Sequence, residues 1–243
     1  HRPRAVFHLA AIHFVPACNS DPPAALSVNV VGTQSLLTAL ERAHLPDALV
    51  LASTGAVYEP SPHPHREDSP LAPDDVYGLS KLWADQAARL LHRRTGVPVG
   101  VARLFNVVGP GETNPHLVPE IVTQARRGGE LRLGNLDTRR DYVYVDDVAQ
   151  GLHKLAEAVP HEGLATLNLG AGRAVDGHEL IELIGELVGR RLTVTGDPER
   201  TRPSDRPVLE SDPSAARELL GWEATTSLRA ALAAAVERPL AGG

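Results

Sequence analysis

Short apolar runs alternate with longer segments of helical periodicity through the first two thirds of the 243-residue chain. That alternation constrains the fold more than any other feature. Arg4–Leu9 (RAVFHL), Ala48–Ala52 (ALVLA), Val97–Phe105 (VPVGVARLF) and Ala165–Leu169 (ATLNL) are too short for helices. They also lack the polar alternation of a half-exposed strand, so they read as strands covered on both faces. Between them, Ala24–Ala43, Asp75–Arg94 and Val145–Val159 carry apolar residues at helical spacing. Strands separated by helices of ten or more residues can pair side by side only in parallel, which predicts a doubly wound parallel α/β sheet.

The remainder is less regular and predicts a smaller C-terminal lobe. His116–Arg127 has helical spacing, and Asp176 followed by Glu179 has the spacing of a capping box before a Leu/Ile-rich helix. Arg200–Pro213 contains three prolines and is expected to be extended or looped. Two short helices, Ser214–Leu220 and Leu228–Val236, end the sequence. The division expected is residues 1–105 and 145–170 for the sheet domain, and 106–144 and 171–243 for the lobe.

Composition excludes several classes. An apolar content of 42% with 22% charged residues is that of a folded globular chain. The longest apolar runs, Ala48–Ala52 and Ala230–Val236, are too short to span a bilayer, and no membrane partner is expected. A net charge of −6 gives no electrostatic case for nucleic acid. The single cysteine, Cys18, cannot form an internal disulfide, which fits a reducing, cytoplasmic compartment. The sequence opens on His1 and contains no methionine, as expected of a processed, truncated or otherwise incomplete chain. Lysine occurs twice, at Lys81 and Lys154; the second reads as a helix-surface charge.

Lys81 belongs to the segment richest in chemistry. The strand Ala48–Ala52 runs into Ser53-Thr54-Gly55-Ala56-Val57-Tyr58, and ligands of parallel sheets bind beyond the carboxyl ends of strands. Tyr77 and Lys81 follow, four residues apart, on one face of a helix. A phenol titrates near 10, and a neighbouring ammonium favours the phenolate, each tenfold gain in acidity being worth about 1.4 kcal/mol. Tyr77 could then exchange a proton with a hydroxyl that Thr54 orients. Tyr-x-x-x-Lys alone is a weak signal; the preceding Ser-Thr strand end and the rarity of lysine strengthen it.

These residues resemble the extended short-chain dehydrogenase/reductases of the NAD-dependent epimerase/dehydratase family. Phe7-His8-Leu9-Ala10-Ala11 is similar to that family's fourth strand, and Asn29-Val30-Val31-Gly32-Thr33 to the helix after it. Arg103 through Gly111, Arg140 through Asp147, and Arg202-Pro203-Ser204-Asp205 resemble three further family segments. The resemblance implies a Rossmann fold binding NAD, with NADP possible, and a nucleotide-diphosphate sugar as substrate. It implies that Leu9, Ala10, Ala11, His13, Asn29, Ser53 and Phe105 contact the dinucleotide together with Tyr77 and Lys81. Tyr77 would be the acid/base, Lys81 its partner and Thr54 the orienting hydroxyl. Asn106, His116, Leu117, Arg140 and Arg202 would hold the nucleotide-sugar, the two arginines as bidentate partners of its pyrophosphate. A homodimer through the Ala24–Ala43 and Asp75–Arg94 helices is also implied.

The sequence departs from the family pattern twice. The Gly-rich turn that cradles the dinucleotide pyrophosphate at a helix N-terminus is not among these residues, nor are the first strands of the sheet. Gly170-Ala171-Gly172 does not replace it, because Val175 stands where the third glycine is needed. The chain as it stands is therefore expected to bind NAD poorly or not at all. Secondly, dehydratases of this kind place Asp-Glu after the threonine, where Gly55 and Ala56 stand here. That leaves a 4-epimerase, favoured, or a 4-ketoreductase using NADPH. A non-catalytic relative of the same fold is the alternative from another class. The nearest metal-like cluster, His63, His65 and Glu67, lies in a Pro-rich loop and reads as solvated, so no metal is expected.

Overall fold

The computed structural model describes residues 2–197 and 206–237. Four parallel strands form the main sheet: β1 (Ala5–His8), β2 (Ala48–Thr54), β3 (Val99–Leu104) and β7 (Leu164–Leu169), in the order β1-β2-β3-β7. Its register is continuous, with Ala5 opposite Ala48, Leu49 opposite Val99 and Val99 opposite Leu164. Every residue of β2 is buried. Leu49 and Leu51 pack with Leu37 and Leu40 of α3 (Thr33–Ala43) and with Ala84, Ala88 and Leu91 of α4 (Val76–Thr95). Val50, one residue out of phase, packs with Leu152, Leu155 and Val159 of α6 (Val145–Glu162). This alternation is why the strands read as uniformly apolar: both faces are covered, as the doubly wound expectation requires.

The expected helix over Ala24–Ala43 is more elaborate. Two short helices, α1 (Val15–Ser20) and α2 (Pro22–Leu26), lead into a π-helical segment, Ser27–Gly32, and then α3. The π register displaces backbone carbonyls from their usual donors, and Thr33 Oγ1 donates to the Asn29 carbonyl at 2.6 Å. The Asn29 side chain is thereby aimed inward. Its Oδ1 accepts from Ile12 N at 2.8 Å while its Nδ2 donates to Ile12 O at 2.9 Å and to Ser80 Oγ at 3.0 Å.

The lobe contains strands that were not evident in the sequence. β4 (Asn106–Val108) pairs in parallel with β6 (Arg139–Tyr144), which also pairs with β8 (Ala174–Val175) and β10 (Val208–Leu209). β5 (Glu130–Leu133) pairs with β9 (Thr193–Gly196). Helices α5 (Leu117–Arg127), α7 (Gly177–Leu187) and α9 (Leu228–Glu237) close a core that includes Ile121, Leu131, Leu180, Ile184 and Leu232. Asp176 caps α7, accepting from Glu179 N at 2.9 Å. α8 (Ser214–Leu220) and Trp222 pack with α6 in the core of the main sheet, so the C-terminal segment serves both cores. Lys154 is not a free surface charge: its Nζ donates to the carbonyls of Leu220 and Gly221 at the end of α8. Among the described residues no helix is long and apolar enough to cross a membrane.

Candidate active site

The carboxyl end of β2 meets the first turn of α4. Thr54, the last residue of β2, accepts from Ala56 N at 3.1 Å and starts a single 3₁₀ turn, Gly55–Val57. Asp75 caps α4, accepting from Gly78 N at 2.6 Å. Gly78 lies so close to this turn that a Cβ there would stand 2.6 Å from the Ala56 carbonyl oxygen. That approach seats the first turn of α4 on the strand tip, bringing Tyr77 near Thr54, whose hydroxyl favours the phenolate.

Lys81 lies one turn further along α4 and is 3% exposed. Burial pulls its ammonium down to about 8, against an opposing pull from Asp85, one turn on. Its charge also depresses His8, already lowered by burial, at the end of β1. The charge of Lys81 thus reaches His8, the last residue of β1, which the segment Leu9–His13 follows. The expected acidification of Tyr77 does not hold in the protein by itself. Burial pushes the phenol up, Thr54 partly offsets this, and Cys18, Asp75 and Asp85 push the same way as burial. Desolvation dominates, and Lys81, four residues on, is not among the groups that act on the phenol.

The remaining expected residues divide into two groups. Leu9, Ala10 and His13 are exposed just beyond β1, with Ala11 half-buried. Asn29 is buried behind them and spends its carboxamide on Ile12 and Ser80, so it shapes this segment from behind. Ser53 is also buried; among the described residues neither its Oγ nor Asp85 Oδ1 has a hydrogen-bond partner, although the nearby Ser53 hydroxyl favours the ionised Asp85. Phe105 is buried against the 3₁₀ turn, its ring 2.9 Å from where a Gly55 Cβ would stand. The site therefore has no room for an acid at position 55. On the lobe side, Asn106 opens β4, His116 stands at the N-cap of α5 and Leu117 begins that helix. Arg140 donates to the carbonyls of Arg139 and Arg206. Arg202 lies outside the described residues.

Several supporting residues have no counterpart in the sequence reading. Arg103 of β3 is 1% exposed; its Nη1 donates to Tyr58 Oη at 2.9 Å and to Glu67 O at 3.0 Å, and its Nε faces Asp85 at 3.4 Å. Tyr58 Oη donates to Asn168 Oδ1 at 2.7 Å, and Asn168 N donates to Glu67 Oε1. Arg206, also buried, donates to Asp74 Oδ1 at 2.9 Å and to the carbonyls of Tyr58 and Ala56. It ties the strand-tip turn to the residues preceding α4. The Gly170–Gly172 turn is occupied from within: Ala171 N and Gly172 N donate to the Asp141 carboxylate.

His65 corrects the expectation of a solvated loop cluster. It is 2% exposed and stacks on Tyr58 with ring centroids 4.7 Å apart. Burial, and secondarily Arg206, pull its imidazole down to about 4. An unfolded histidine takes up a proton near 6.5, so the unfolded state binds more protons between these values. Stability contributed by keeping His65 neutral is present above about pH 6.5 and lost as pH falls toward 4. Urea unfolding of wild type and His65→Phe at pH 7 and pH 4.5 should show the wild type losing on the order of 2 kcal/mol more than the variant over this interval. Equal losses would remove His65 from the acid response.

The likeness to known proteins extends over both lobes. The chain is 34% identical to UDP-glucose 4-epimerase of Rhizobium meliloti, the match covering 95% of this chain and 75% of that protein. It is 30% identical to GDP-6-deoxy-D-mannose reductase of Pseudomonas aeruginosa, covering 96% of this chain and 79% of the relative. The structure of MoeE5 in complex with UDP-glucose and NAD superimposes with a TM-score of 0.90 at 32% identity, covering 96% of this chain and 78% of that one. Residues 1–170 match the NAD dependent epimerase/dehydratase family, and the chain belongs to that family.

Proposed function

We propose that the protein is an NAD-dependent nucleotide-sugar epimerase that inverts a hexose by transient oxidation and re-reduction at C4. One observation carries this reading: Thr54 and Tyr77 meet at the strand tip beside a buried lysine, while Gly55 and Ala56 leave no acid for water elimination. The residues present fit the nicotinamide-ribose half of the cofactor. Lys81 is a buried cation whose charge reaches His8 at the end of β1, just before the exposed Leu9 and Ala10. Bound NAD supplies the hydride acceptor and donor. Tyr77 Oη takes the proton of the C4 hydroxyl and returns it, and Thr54 Oγ1 hydrogen-bonds the same oxygen. Lys81 holds positive charge beside the ribose and favours the ionised phenol once its surroundings are completed by ligand. The MoeE5 complex with UDP-glucose and NAD supports both the cofactor and the nucleotide-sugar class.

The decisive experiment incubates the full-length protein, not this chain alone, with NAD and UDP-glucose, UDP-galactose or a GDP-hexose and follows C4 configuration by proton NMR. Interconversion of one C4 pair is expected. Conversion of no sugar, with NADPH oxidised only by a nucleotide 4-keto-6-deoxyhexose, would instead select the reductase reading. That second reading draws on the 30% identical Pseudomonas aeruginosa reductase.

The active form is a homodimer built on α2 to α4. Leu26, Val28, Val31, Leu79 and Trp83 are all more than a third exposed along these helices, an apolar face that a monomer would leave in water. A second copy of the same helices covers it by two-fold symmetry. Trp83→Glu should convert the dimer to monomer in sedimentation velocity. A monomeric wild type would exclude this interface.

A further inference from the structure

We propose that His13, Glu112 and His116 form a binding site for a zinc-like divalent transition metal that clips the segment after β1 to the loop entering α5. His13 lies in the segment after β1, whereas Glu112 and His116 lie in the loop entering α5, so the three reach the site from different parts of the fold. Their candidate ligand atoms all lie within 4.8 Å of one another. Four-coordinate zinc with bonds of about 2.0–2.1 Å needs ligand atoms roughly 3.4 Å apart, so metal entry draws the groups inward by about an ångström. The loop can supply this movement, since Glu112 and His116 are only half-buried and His13 is exposed.

The surroundings already favour the assembly. The His13 and His116 rings stack with centroids 6.0 Å apart, and Phe14 meets His116 edge-on at 5.2 Å. Asn114 joins the set: its N donates to Glu112 Oε1 and its Nδ2 lies 3.0 Å from His13 Nε2. With the Asn114 carboxamide turned so that its Oδ1 accepts from His13 Nε2–H, Nδ1 keeps the lone pair a metal needs, and Asn114 joins carboxylate and imidazole as an outer partner does. Two imidazoles and one carboxylate suit zinc, with water completing the shell, and are a poor set for magnesium or calcium. Resting on the proposed function, an ion here would tether the segment expected to line the dinucleotide to the residues expected to hold the sugar. Metal would then inhibit by holding these two segments together. The metal site itself does not depend on that reading.

The test is isothermal calorimetry of the chelator-treated protein with zinc chloride, alongside cobalt(II) absorption spectroscopy. One zinc per chain is expected, with cobalt giving the intense d–d bands of a four-coordinate site. His13→Gln and His116→Gln should each weaken binding at least tenfold, and the double variant should abolish it. His63→Gln, in a different exposed loop, should bind as wild type does. Hydrogen exchange in residues 10–14 and 111–116 should slow together when zinc is added. No binding, or equal binding by the double variant, would overturn the site. Exchange that slows in only one segment would overturn the clip. Epimerase activity enters none of these readouts, so failure of the catalytic reading remains separable.

Discussion

Tyr77→Phe abolishes turnover and leaves the cofactor in place. In protein carrying NAD, kcat for C4 inversion should fall by about 10³-fold, the range expected when a positioned acid/base is removed. NAD affinity, read from fluorescence quenching, should stay within about threefold, because the ring is kept and only the hydroxyl is lost. The environment explains why so much rests on one oxygen. Burial and two carboxylates, Asp75 and Asp85, disfavour the phenolate, while Thr54 favours it. Without bound ligand Tyr77 is therefore a protonated phenol, and its activation is coupled to binding. Thr54→Val should lower kcat less, since it removes an orienting hydrogen bond and leaves the proton carrier. If Tyr77→Phe keeps more than a tenth of wild-type kcat, proton transfer runs through another group.

The sequence conveys the main sheet well because its strands are buried on both faces and therefore apolar throughout. β2 extends only two residues beyond the run Ala48–Ala52, and α4 lies within one residue of its expected ends. The lobe strands escape the same reading for a physical reason. β6 is Arg-Arg-Asp-Tyr-Val-Tyr, half of it charged although three short strands pair with it, and β8 and β10 have two residues each. α1 contains Pro16 and Asn19, poor helix formers away from a helix's first turn, and is held by tertiary contacts, including Cys18 Sγ donating to Ile12 O.

Within the site, Tyr77 and Lys81 are legible because helical spacing places them together. The buried support is not, because its members are far apart in sequence: Tyr58 and Asn168 are separated by 110 positions. A signal was nevertheless present. Arg103 stands among apolar neighbours in a strand covered on both faces, and Asp85 falls on the buried stripe of α4. An ion in either place demands a partner.

That demand sets the largest expected stability effect. The Arg103 guanidinium lies 3.4 Å from Asp85 Oδ2 and over the Tyr58 ring, 4.8 Å from its centroid. Asp85 is fully buried, and burial pushes its carboxyl up while Ser53, Arg103 and Lys81 pull it back. Arg103→Met leaves this carboxylate without its strongest buried counter-charge and Tyr58 Oη without a donor. Removing one member of such a pair costs about 3–5 kcal/mol. The melting temperature should fall on the order of 10 °C for a domain of this size. The deficit should shrink as pH falls, because buried Asp85 takes up a proton more readily in the folded variant than in the unfolded chain. Arg103→Met combined with Asp85→Leu should recover most of the loss, because no unpaired charge then remains in the core. The double variant should also lose catalysis more than stability, since Asp85 no longer faces Lys81 one turn away. A double variant as unstable as Arg103→Met would assign the effect to the Tyr58 and Glu67 contacts of the guanidinium instead of to its charge.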